Sequence, residues 1–302
     1  MRILLSNHSS YPGAPGELEL VRVLREQAAA GLDLVTDGQL GADDAIAPLM
    51  ARLDGVRLGA ATTLPGLPGA FRQPIVQAKL RRHGALCVDA YRRAAAHTAQ
   101  PVKVVLTGPH TLAHAAAIAT TAYRSADALA DELSVILAQE VGALVAAGAA
   151  AIQIDEPVVL ARPQDIRRLR ALLEPIYDAA SGRAQLVVAT FGADAGPLYA
   201  QLNSLPADVI ALDCAGREAL CEAIADTGAG KPLALGLIDG TSPTLEKAAA
   251  LAHRLEGLLH RYAHATVYLQ PACGLRRLTA DQARAKIGLL ALLRDRVAGL
   301  HR

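Results

Sequence analysis

Residues 126–157, ADALADELSVILAQEVGALVAAGAAAIQIDEP, contain one full repeat of the pattern that decides the fold. Leu129, Leu133, Ile136, Leu137, Val141, Leu144 and Val145 recur at intervals of three and four, which places them on one apolar face of a helix. Gly148 follows the last of them as a helix stop, and a short apolar strand, Ala151–Asp155, begins after it and ends in Asp-Glu-Pro. Working outward, the same alternation predicts seven more buried strands: Ile3–Ser6, Asp33–Thr36, Val102–Thr107, Leu186–Phe191, Val209–Asp213, Leu233–Ile238 and Thr266–Gln270. Helical sequence such as Leu18–Ala30, closed by Gly31, separates them. Eight strands each followed by a helix form an α/β structure, a (β/α)8 TIM barrel, expected here as one domain over residues 1–302. One stretch breaks the rhythm. From Gly41 to about Pro74 the chain carries TTLPGLPG and no clear period, and is expected to be a long irregular excursion on the face where barrels keep their functional loops.

The chain has 302 residues, of which 52% are hydrophobic, ample for a packed core. Thirty basic and 29 acidic residues leave a net charge of +1, and no Lys/Arg stripe supplies the attraction nucleic acid requires, so a small ligand is expected. The apolar run near Met1 is too short for a signal peptide and no segment approaches the length of a membrane span, so the expectation is a cytoplasmic protein off the membrane. Four cysteines in a chain of this length do not make a disulfide framework and are read as free thiols. The Ala-rich outer helices allow a homodimer without requiring one.

In a barrel the residues just past each strand converge on one mouth. Here they are polar: Ser6, Asn7, His8 and Ser9; Asp37 and Gln39; His110; Asp155 and Glu156; Thr190; Asp213 and Cys214; Asp239; Gln270 and Cys273. Asp155 closes an apolar strand, where an unpartnered carboxylate is costly, and this marks it as functional. Cys87 and Cys221 lie in helical sequence and read as core fillers.

The segments AGLDLVTDGQL (30–40), PVKVVLTGPHTL (101–112), AIQIDEPVV (151–159), ADVIALDC (207–214), LGLIDGTSP (235–243) and LQPACGLRRLT (269–279) resemble, in order and spacing, the cobalamin-independent methionine synthases. That family shares its barrel with uroporphyrinogen decarboxylase. The resemblance spans nearly the whole chain, and IQIDEP with a late P-x-C-G-L is its specific part. It implies a methyltransferase moving a methyl group to the thiol of homocysteine or a related small thiol. It also implies zinc, which would bind that thiol and deprotonate it.

By the same resemblance, Asp155, with Glu156 beside it, would bind the substrate's ammonium. Ser6 or Ser9 would receive its carboxylate, and Gln39 would stand where the family has a Glu. Cys273 falls on the family's last zinc ligand and Asp213 on its acidic one. The family's His-x-Cys pair has no counterpart, since the fifth strand ends VVATFGADAG (187–196) with Thr190 and Gly192 at those places. Cys214 with His110 or His8 would have to complete a site with Cys273; otherwise another metal, or none, is bound. With no Trp and 3% aromatics, a stacked folate is poorly served, and a methylated corrinoid on a partner protein is an alternative donor. Two further functions stay open: a zinc-less barrel with another reaction on a small amino or carboxylic acid, and a non-catalytic ligand-binding or complex subunit.

Overall fold

The structure is a computed structural model that describes residues 1–180 and 182–300, with side chains described as far as Val297. In chain order its elements are β1 (Arg2–Leu5), α1 (Glu17–Ala29), α2 (Ala47–Met50), β2 (Asp54–Thr62), β3 (Phe71–Arg81), α3 (Val88–Ala95), β4 (Lys103–Thr107), α4 (Pro109–Ala115), β5 (Ala117–Ile118) and α5 (Ala126–Ala146). There follow β6 (Ala151–Asp155), α6 (Ile166–Ala180), β7 (Gln185–Thr190), α7 (Tyr199–Leu202), β8 (Val209–Asp213), α8 (Glu218–Thr227), β9 (Leu233–Ile238), α9 (Ala248–Leu259), β10 (Thr266–Pro271) and α10 (Ala280–Leu300).

Seven parallel strands form one sheet in the order β1-β10-β9-β8-β7-β6-β4. The predicted strand Asp33–Thr36 is the eighth, reduced to a splice. Leu34 bridges Ser6 on one side and Val35 bridges Val102 on the other, so β1 and β4 are joined into a closed wall through two residues. Beyond that splice, on the β4 side, the wall parts around a cavity of about 500 Å3, lined by Asp37, Gln39, Asp44, Tyr91, Arg93 and β4 itself. The expected irregular excursion at 41–74 is corrected by the structure. After α2 it becomes an antiparallel hairpin, β2 with β3, on which β5 adds a third strand. Half-exposed strands with Gly55, Gly59 and Pro74 show no clean alternation, which is why the sequence hid them.

Period-two alternation sorts the barrel strands. Val187, Ala189, Val209, Ala211, Ala234 and Tyr268 form a small apolar layer inside the barrel, whereas Ile152, Ile154, Leu186, Val188, Ile210 and Leu212 belong to the main core shared with the helices. Small residues leave room inside for a polar stratum. The buried Lys103 ammonium donates to Gln270 Oε1 at 3.4 Å, the Tyr268 hydroxyl to Gln185 Oε1 at 3.0 Å, and the space between them is about 10 Å3, room for one water. Outside the barrel, the fully buried Glu140 carboxylate of α5 accepts the amides of Leu86 and Cys87, each at 2.7 Å, and pairs with Arg82 at 2.7 Å. This ties the hairpin's return to the barrel. Among the described residues, no helix is long and apolar enough to cross a membrane.

Candidate active site

Asp155 ends β6 at the barrel mouth, only 4% exposed. Gln153, two residues earlier and so on the same inward face, donates Nε2–H to Asp155 Oδ1 at 2.7 Å, while its own Oε1 is buried with no partner. Burial raises the Asp155 carboxyl to about 7, although Gln153 and the Lys103 charge pull it the other way. Burial lowers Lys103 to about 7, and Asp155 opposes that shift. The barrel therefore holds a carboxyl and an amine whose charged forms burial disfavours, beside an acceptor without a donor. A cation carrying several N–H groups suits that arrangement.

Glu156 has the opposite fate. Its carboxylate, fully buried, accepts the amides of His110 (2.9 Å) and Thr111 (2.8 Å) and the Thr111 hydroxyl (2.6 Å) at the start of α4. Gly108 gives it room, since a β-carbon there would lie 2.2 Å from Glu156 Oε1. The expected substrate role for Glu156 is therefore replaced by helix capping: side chains of adjacent strand-end residues point apart, and α4's free amides claim this one.

The expected carboxylate pocket is also partly committed. The Ser6 hydroxyl donates to the Asn7 carbonyl at 2.9 Å and lines the small cavity inside the barrel. Ser9 Oγ lies 2.9 Å from His8 Nδ1. Burial, with Lys103 nearby, drops His8 to about 3, so it is a neutral imidazole, and Phe191 packs edge-on against it with centroids 5.0 Å apart. Ser9 and Ser10 close over Gly274, where a β-carbon would meet their hydroxyls at 2.9 and 2.1 Å. Gln39, held at φ 48°, accepts from Arg276 at 2.8 Å, and the same guanidinium donates to the Ala42 carbonyl at 2.6 Å. Sequence reasoning passed over Arg276 and Lys103. Arg276 stands in the CGLRRLT segment, and Lys103 is a charge opening an apolar strand in VKVVLT, a signal open to reading.

The four expected metal ligands do not come together. Cys214 follows the inward Asp213 and so faces the helices, where it joins the main core; the Cys221 thiol and then burial push it up. His110 turns its ring toward Asp165, Nε2 to Oδ2 3.2 Å. Cys273 and Asp213 remain at the mouth. Burial, Asp213 and Asp239 raise the Cys273 thiol to about 12, so it stays protonated at neutral pH. Asp213 Oδ2 accepts the Gly192 amide and Oδ1 that of Ala215, each at 3.1 Å, which orients the carboxylate. Thr190 and Gly192 stand where nitrogen and sulfur donors are needed. One thiol and one carboxylate supply two donors and do not complete the four-donor shell of a thiolate-binding zinc. Among the described residues, the only three or more His, Cys, Asp or Glu side chains whose ligating atoms all lie within 4.8 Å of one another are His110, His114 and Asp165.

A closed parallel barrel with its buried charges at the C-terminal strand ends defines the class of barrel enzymes whose site lies at that mouth. Residues 14–293 match the family model described as cobalamin-independent synthase, catalytic domain, and the chain belongs to that family. The methionine synthase of Methanothermobacter marburgensis is 26% identical over 309 positions, covering 92% of this chain and 94% of that one. The methionine synthase of Saccharolobus solfataricus is 27% identical over 273 positions, covering 89% and 80%. Among solved structures, a B12-independent methionine synthase from Shewanella sp. W3-18-1, in complex with selenomethionine, superposes with a TM-score of 0.87 at 22% identity over 98% of each chain.

Proposed function

We propose that the chain is a methionine-synthase-type methyltransferase that moves a methyl group to the thiol of homocysteine or a related small thiol. The observation that carries this reading is the family match over 14–293 on a barrel that keeps Asp155 at its mouth. Asp155 and the orphan Gln153 Oε1 take the α-ammonium, the Ser9 turn faces the carboxylate, and the thiol end lies toward Cys273. Zinc at Cys273 and Asp213 is not supported by their surroundings, and no step is routed through it. With Phe191 occupied by His8 and no Trp in the chain, a methylcorrinoid suits the donor better than a folate. The test is methionine formation from homocysteine with methylcobalamin or methyltetrahydrofolate; no methionine with either donor overturns the activity. Binding of homocysteine without turnover points instead to a ligand-binding barrel, a reading favoured by the missing His-x-Cys pair.

The same assignment fixes a pH dependence. Asp155 must be ionised to pair with an ammonium, and its carboxyl titrates at about 7. Affinity for methionine is expected to level off above that pH and to fall by about tenfold per unit below it, one proton being displaced per ligand bound. Calorimetry between pH 5.5 and 8.5 gives the profile, and a flat one removes Asp155 from the ammonium site.

A further inference from the structure

The His110, His114 and Asp165 side chains cluster between α4 and the connection from β6 to α6, and the methyl-transfer reading uses none of the three. His110 and His114 are one turn apart on α4, so both rings project from the same side, with centroids 4.5 Å apart. Asp165 comes from the connection between β6 and α6. Its Oδ2 lies 3.2 Å from His110 Nε2 and 3.7 Å from His114 Nε2. Bonds of about 2.0–2.1 Å in a tetrahedron put neighbouring ligand atoms about 3.4 Å apart; the two distances to Asp165 Oδ2 bracket that value, and all three ligating atoms lie within 4.8 Å of one another.

The surroundings agree with that reading. His110 Nδ1 is buried without a hydrogen-bond partner and lies 3.9 Å from the Glu156 carboxylate. A metal-bound imidazole characteristically directs its second nitrogen at a carboxylate, which fixes the ring and strengthens the donor. One group competes: Arg162 Nε holds Asp165 Oδ2 at 2.6 Å, from a side chain 42% exposed and free to swing into solvent.

We propose that His110, His114 and Asp165 bind one divalent transition-metal ion of the zinc class, with two imidazole nitrogens and one carboxylate oxygen as donors and the remaining position open to water. Two nitrogens and an oxygen select zinc, cobalt or nickel over magnesium or calcium, which prefer all-oxygen shells. The ion fastens α4 to the segment leading into α6. The inference is independent of the methyl-transfer reading and places a metal away from Cys273.

The experiment is titration of the chelator-stripped full chain with Co2+ and Zn2+, followed by metal analysis after dialysis. One equivalent per chain is expected, held equally by Cys273→Ser, weakened at least tenfold in His114→Ala and Asp165→Asn, and tightened in Arg162→Ala, where the competing cation is gone. The Co2+ adduct should show ligand-field bands without sulfur-to-metal charge transfer. His114 and Asp165 are only partly buried, so these variants are expected to fold, and circular dichroism checks that they do. Metal retained by both variants but lost in Cys273→Ser overturns the proposal, as does no binding at micromolar metal.

Discussion

Asp155→Asn is expected to weaken methionine or homocysteine binding by roughly 100- to 4,000-fold. The estimate follows from the 3–5 kcal/mol lost when one partner of a buried charge pair is removed, at about 1.4 kcal/mol per decade. Asparagine keeps the shape and the Gln153 contact, so the loss isolates charge from geometry. Stability is expected to move the other way. The Asp155 carboxyl titrates at about 7 in the fold against 3.8 for an ordinary aspartate, so the folded chain holds an extra proton between those limits. Ionisation therefore costs the wild type stability as pH rises from about 4, fully so above about 7, with an upper bound of about 4 kcal/mol. The variant lacks this penalty, and its advantage in denaturant should grow from pH 5 to pH 8. A variant that binds normally would contradict the ammonium assignment, and one that is less stable at pH 8 would contradict the cost of burying the ionised carboxyl.

Glu156→Ala, one residue along, is expected to cost about 3–5 kcal/mol of stability, because two amides and a hydroxyl lose a fully buried acceptor. Gly108→Ala should be destabilising by a similar mechanism, since its methyl would displace that carboxylate. Combined, the two changes should cost clearly less than their sum, the new methyl entering space the carboxylate vacated. Urea denaturation of the four proteins measures the coupling. Additive losses would mean that the carboxylate is not what Gly108 accommodates.

These two neighbours show how much of the site was legible. The strand Ala151–Asp155 was read at its observed bounds, as were Val209–Asp213 and Leu233–Ile238, because buried parallel strands are short apolar runs cut by a helix stop. Strand alternation, visible in the same letters, distinguishes Asp155 from Glu156 and Asp213 from Cys214; reading each pair as one unit missed it. His110 and His114 stand four residues apart, a helical spacing visible in the sequence, although His110 alone is singled out there. Asp165 was not legible, since it joins them from 51 residues beyond His114 through the packing of α4 beside the β6–α6 connection. The Gln39 contact with Arg276 is of the same kind, spanning 237 positions.

The splice at Leu34 and Val35 has a consequence beyond closing the wall. Without it, β1 and β4 would each present a row of free amides and carbonyls, the surface on which strands from other molecules add and aggregates grow. The Leu34 and Val35 bridges thus cover part of each edge where the barrel is thinnest, and a change that frees them would lengthen the exposed strand edge beside the cavity.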